Sequence, residues 1–110
     1  ALRNALRARA VVDATIRSTI AAAPKRHGIV TCPHTACGLK LLEDLRAAGD
    51  TRHWAVVATA HPAKFDSIVE PLVGHAVEVP PALAECLARP AHGEALDADD
   101  AALRERLLSP

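Results

Sequence analysis

The sequence predicts an α/β fold, rich in helix and with about two or three short strands. Three observations predict it. Prolines at 33, 62 and 81 each stand where a helix should open, followed by apolar residues at helical offsets. The run His53–Ala58, "HWAVVA", is β-branched at its centre and bounded by polar residues, as a buried strand would be. That run passes through Thr59 straight into "AHPAKF", without the Gly or Asn-Gly that closes a hairpin. A strand-to-helix corner of this kind is where α/β proteins place ligands.

Taken in order, Leu2, Leu6 and Ala10 recur at helical spacing with Arg3 and Arg7 on another face, which reads as an ordinary surface helix rather than a transit peptide. Asp13 is expected to cap a helix with Val12, Ile16 and Ile20 on one side, stopped by Pro24. "GIVT", 28–31, suits a short strand. Thr31 or Cys32 then caps a helix opened by Pro33 and ending near Gly49, with Leu41, Leu42 and Leu45 as its buried stripe and Gly38 admitting close packing. The helix after Pro62 carries Phe65, Ile68, Val69 and Leu72 on one face; Pro71 should shorten or kink it, and Gly74 marks its exit. "HAVEV", 75–79, alternates weakly as a strand. "PPALAECLA" makes a helix of about two turns between prolines. Residues 91–100 resemble a linker, and "DADDAALRERLL" puts acids at the start and Arg104 and Arg106 near the end of a last helix that Leu103 and Leu107 would dock.

Composition narrows the function. At 110 residues the chain holds one modest core, read as a single partial domain over 1–110, with a helical lead-in (1–23), pocket-wall strands and helices (24–90) and a C-terminal helix (91–110). Aromatics are 2% and acids equal bases at 13 each, so neither base stacking nor a cationic field favours a nucleic-acid partner. No apolar run approaches the roughly 20 residues that span a bilayer. Three cysteines without framework spacing point to a reducing compartment, and a soluble, cytoplasmic protein is expected. The absence of Met and the start at Ala fit a piece of something longer.

Cys32, His34 and Cys37 fall within six residues and invite a metal reading, but no second knuckle matches them and no metal is expected. A Cys32/His34 nucleophile pair is the other sharp reading, since a helix start would lower the thiol pKa; a plain cap-region cysteine is the bland one. His34 and His61 differ from the other four histidines in standing at helix openings beside Pro, where free backbone N–H groups can meet an anion or a heteroaromatic ring.

The segments "CPHTACGLKLLEDL" and "VVATAHPAKFDSIVEPL", with "VEVPPALAECLARP" and the terminal "ALRERL", resemble the closing portion of the threonine synthase family over about residues 11 to 108. The resemblance implies a helix-rich C-terminal fragment of a fold-type II, tryptophan-synthase-β-like domain that binds pyridoxal 5'-phosphate. The family converts O-phospho-L-homoserine and water to L-threonine and phosphate. It also implies that the hydroxyl of Thr59 contacts the pyridine nitrogen, and that His34 and Thr35 border the pocket. Many members carry an acid before the Pro, where this chain has Cys32. The Schiff-base lysine and the Gly-rich phosphate cup match nothing here; Lys64 belongs to the helix-opening motif. No residue of this chain is therefore expected to be catalytic, and the chain alone is expected to be inactive, with the remainder of the enzyme and a small-molecule substrate as partners. A small non-catalytic α/β binding or interaction module is the alternative.

Overall fold

A computed structural model describes residues 6–108. The described chain is helical throughout its regular structure: five α-helices, one short 3-10 helix and no strand. The α/β expectation is thereby corrected. The chain forms two compact units, one ending at Val79 and one beginning at Pro80.

In the first unit α1 spans Asp13–His27 and α2 spans Pro33–Ala47. Residues 6–12 carry no regular structure, so the surface helix expected there is not found in the described part; Leu2 and Arg3 lie outside the described residues. Val12, not Asp13, is the N-cap of α1, and Asp13 stands at the first helical position, where its carboxylate still favours the helix dipole. Pro24 does not end the helix. It removes the one donor that would reach back a turn, and the chain continues to Gly28, whose φ of 70° supplies the left-handed stop and whose N–H bonds the Pro24 carbonyl at 3.1 Å.

Cys32 caps α2 and Pro33 takes its first position, where a missing N–H costs nothing. The buried face of α2 is Thr35, Ala36 and Leu39; Leu41, Leu42 and Leu45, expected as its stripe, are only half-buried. After Ala60, a 3-10 helix over Pro62–Phe65 leads into α3, Asp66–Val73. Pro71 lies within α3, on the exposed side, and Gly74 closes it at φ 81°, as the sequence predicts.

The core is small. Ile20 of α1, Ala36 of α2 and Val69 of α3 are fully buried and meet one another, ringed by Ile16, Val30, Phe65, Leu72, Val73 and Val77. Of the predicted α3 face, Val69 is central and Phe65 and Leu72 flank it, whereas Ile68 is turned outward.

The three expected strands fail for one physical reason. A strand exists only as half of a ladder, and its N–H and C=O groups need a neighbour at ladder spacing. Trp54 to Ala58 make no backbone–backbone hydrogen bond with the described residues. Trp54 is 46% and Val57 74% exposed, so the run is not buried either. What holds it is side-chain chemistry at its edges: the Asp50 carboxylate accepts the Arg52 N–H at 2.9 Å and its guanidinium, which lies over the Trp54 ring at 5.0 Å. These bonds keep the Asp50 carboxyl well below the usual carboxylate range. In "HAVEV" the Val77 N–H donates to the Glu70 carboxylate at 2.8 Å in place of a sheet partner. "GIVT" carries no ladder and simply leads into α2.

The second unit holds α4, Pro81–Leu87, and α5, Asp100–Leu108. The short proline-led helix is as predicted. Asp99 precedes α5 and its carboxylate accepts the Ala102 N–H at 3.1 Å, so it caps the helix, while Asp100 stands in its first turn. Leu103 and Leu107 are 47% and 74% exposed, so neither is buried.

The C-terminal end of α1 is tied to α2 through Glu43, whose carboxylate meets Arg26 at 3.1 Å and His27 at 3.2 Å. Partial burial raises the Glu43 pKa, but the hydrogen bonds from His27 and Arg26 outweigh it and the net shift is downward. A carboxyl held below its unfolded value of 4.5 stabilises the fold above that pH and ceases to as pH falls through the folded value. With Arg26 largely solvated, Glu43→Gln is expected to cost about 0.5–1 kcal/mol at pH 7 and nearly nothing in strong acid, read by denaturant unfolding of the complete protein at both pH values.

Candidate functional site

Three segments of the first unit enclose one cleft: Ile29–Cys32 leading into α2, the corner Ala58–Pro62, and His75–Glu78 after α3. Its volume is about 760 Å³, within the range of roughly 300–1,000 Å³ common to small-molecule sites. The walls are mostly apolar, and the polar side chains that reach it include Thr31, Thr35, Thr59, His61 and Glu78. No lysine or arginine is among the described residues that line it.

Each polar group has a local cause. The apolar run ends at Ala58, so Thr59 is the first polar residue of that run's end to line the cleft, and its N–H donates to the Thr35 hydroxyl oxygen at 3.4 Å. His61 is the N-cap of the 3-10 helix; its Nδ1 accepts the Ala63 N–H at 3.2 Å, which leaves Nε2 to face outward as the donor of the neutral ring. Thr35 stands in the first turn of α2, 6% exposed.

His34, although predicted beside Thr35, is exposed, turned edge-on to Phe65 at 5.2 Å between ring centres, and is not among the lining residues. His75 and Glu78 were not singled out for the cleft from sequence, because nothing local marks them; they arrive through the fold of the segment after α3.

Cys32 sits at the base of the cleft and is 1% exposed. Burial pushes its thiol up, yet donors from the Thr35 side chain, the Thr35 and His34 N–H groups and, least, the Thr59 hydroxyl together hold it below its ordinary value of 9.0. Cys37 instead donates to the Pro33 carbonyl at 3.5 Å. Among the described residues, no three His, Cys, Asp or Glu side chains converge as metal ligands would.

The family profile described as "Threonine synthase, C-terminal" matches residues 35–107, two thirds of the chain. The chain belongs to the threonine synthase family. It is 35% identical over 100 residues to threonine synthase of Escherichia coli (strain K12), a match covering 91% of this chain and 23% of that protein. It is 36% identical over 90 residues to threonine synthase of Methylobacillus glycogenes, covering 82% of this chain and 18% of that one. The chain thus spans less than a quarter of the length of these threonine synthases. No solved structure matches it. The family match begins at Thr35, so the cleft's outer corner and the segment after α3 lie inside it, while Thr31 and Cys32 precede it.

Proposed function

We propose that this chain forms one wall of the cofactor pocket of a threonine synthase, a carbon–oxygen lyase of amino-acid biosynthesis that converts O-phospho-L-homoserine and water to L-threonine and phosphate. The carrying observation is that "TAHPAKF" places Thr59 on the lining of a cleft of suitable size in a chain of this family.

The residues suit the ring of pyridoxal phosphate and not its phosphate. Apolar walls accept a flat heterocycle, and a neutral hydroxyl can bond a ring nitrogen without forcing a proton onto it, as an Asp would. When bound, the cofactor supplies the electron sink for elimination and replacement. With no Lys or Arg in the described lining, the covalent anchor and the phosphate contacts come from further chain. Thr59 orients the ring, Thr35 orients Thr59, and the apolar segments around them exclude water from the nitrogen. His61, with Nε2 facing outward, is placed to donate to an anionic group of cofactor or substrate.

The exposed Trp54, Val57, Leu87 and Leu107 support the reading that the remainder of the enzyme is this chain's partner, covering what a free-standing module would leave wet. No helix among the described residues is long and apolar enough to cross a membrane. We place the enzyme in the cytoplasm, with neither membrane nor nucleic acid as partner.

The complete enzyme with pyridoxal phosphate is expected to release phosphate from O-phospho-L-homoserine and form threonine in equal amount. Absence of both products removes the proposal. Lys64 is exposed and does not line the cleft, so Lys64→Ala should keep the visible absorption band of covalently bound cofactor; loss of that band would put the anchor in this chain instead.

A further inference from the structure

Very little holds Thr59 in place. The five residues before it make no backbone–backbone hydrogen bond with the described chain; its own N–H goes to a side chain, the Thr35 hydroxyl, and its hydroxyl also reaches the Cys32 sulfur. A corner held only by side-chain bonds is as firm as the group at their far end.

The anchor is sulfur. With one lone pair of Thr35 Oγ1 engaged by the Thr59 N–H, the Thr35 proton is free to be donated, and Cys32 Sγ lies 3.3 Å away. The same sulfur receives the Thr35 N–H at 3.4 Å, so it fixes both the backbone and the rotamer of Thr35. Cys32 and Thr35 are both buried, so water does not compete for these bonds. Donation from Thr59 N–H to Thr35 and from Thr35 to Cys32 is the arrangement that suits a sulfur already accepting the Thr35 N–H.

We propose that Cys32 is a positioning residue: its buried sulfur, acting mainly through Thr35 and also directly on the Thr59 hydroxyl, fixes the Thr59 corner on the lining of the cleft. The relay stands on geometry alone; only its consequence for the cofactor rests on the function proposed above. The depressed thiol pKa agrees with a sulfur that accepts from several donors, since a thiolate is the better acceptor. Cys32 is thus the fixed end of a relay. Serine could replace it in part, because oxygen accepts the same bonds but reaches less far from the backbone.

Two measurements on the complete enzyme without cofactor, in a Cys37→Ser/Cys86→Ser background, test this. In Thr35→Val the Cys32 titration, followed by ultraviolet thiolate absorbance, is expected to move up by about one pH unit. In Cys32→Ala, hydrogen exchange at the Thr59 amide should quicken about tenfold, with Cys32→Ser between the two and the Val69 amide unchanged. A Thr59 amide that exchanges alike in parent, Cys32→Ser and Cys32→Ala overturns the proposal, as does an unmoved titration in Thr35→Val. If Cys32→Ala does not fold, the serine variant and the titration still decide. Because no cofactor is present, failure here leaves the cofactor reading standing, and failure to bind pyridoxal phosphate leaves the relay standing.

Discussion

Gly38→Ala in the complete enzyme is expected to lower affinity for pyridoxal phosphate by tenfold or more while changing global stability little. A Cβ at position 38 meets Val56 Cγ1 at 2.9 Å, closer than two carbons can sit. Valine is stiff at χ1, so the contact is relieved mainly by moving the Val56 backbone off α2. Overpacking costs about 1–3 kcal/mol, but exchanging Gly for Ala within a helix returns about 1 kcal/mol of propensity, so the unfolding midpoint is a poor reporter. The displaced run ends three residues on at Thr59, and the site feels what the global fold does not. Val56→Ala in the same chain should restore most of the affinity, since it removes the clashing methyl. Equal cofactor affinity in the parent and Gly38→Ala would show that the position of the run does not matter to the site.

Thr59→Val is expected to reduce turnover of O-phospho-L-homoserine by about 10- to 100-fold, the worth of one hydrogen bond to a group whose charge changes during reaction. The substitution keeps the branched shape, and Thr59 is solvent-exposed, so the fold should not respond. Thr59→Ser should retain most activity, because the hydroxyl survives. Steady-state rates for the three proteins separate the hydroxyl from the methyl. Turnover in Thr59→Val equal to that of the parent would reduce Thr59 to a residue of the corner with no part in the chemistry.

Which features could be read in the sequence follows from how local their causes are. The proline-led openings at 33, 62 and 81 and the glycine exits at 49 and 74 were legible because caps and left-handed stops act within one turn, whereas Gly28 was passed over for Pro24. Gly38 was legible as a close-packing point, although Val56 as the residue that approaches it was not. The strands were misread because β-branched composition shows only that a run would suit a ladder. The ladder itself needs a neighbour, and Trp54–Ala58 find none among the described residues.

Within the cleft, the Thr59 corner was legible through its motif. His34 and His61 looked alike in sequence, each beside the proline of a helix opening. His61 is itself the cap and folds back over its own helix start, whereas His34 stands past the proline, where a helical side chain points away. The Cys32–Thr35–Thr59 relay was invisible, because its last link joins residues 24 apart.

The decisive number is the distance from Thr59 Oγ1 to the pyridine nitrogen in a crystal structure of the complete enzyme bound to pyridoxal phosphate. It is expected to be a hydrogen-bond distance of about 2.6–3.1 Å, with the ring lying in the cleft between Thr31, Thr59 and His61. A ring seated elsewhere, or a nitrogen bonded to any other side chain with Thr59 out of reach, would contradict the assignment of this wall.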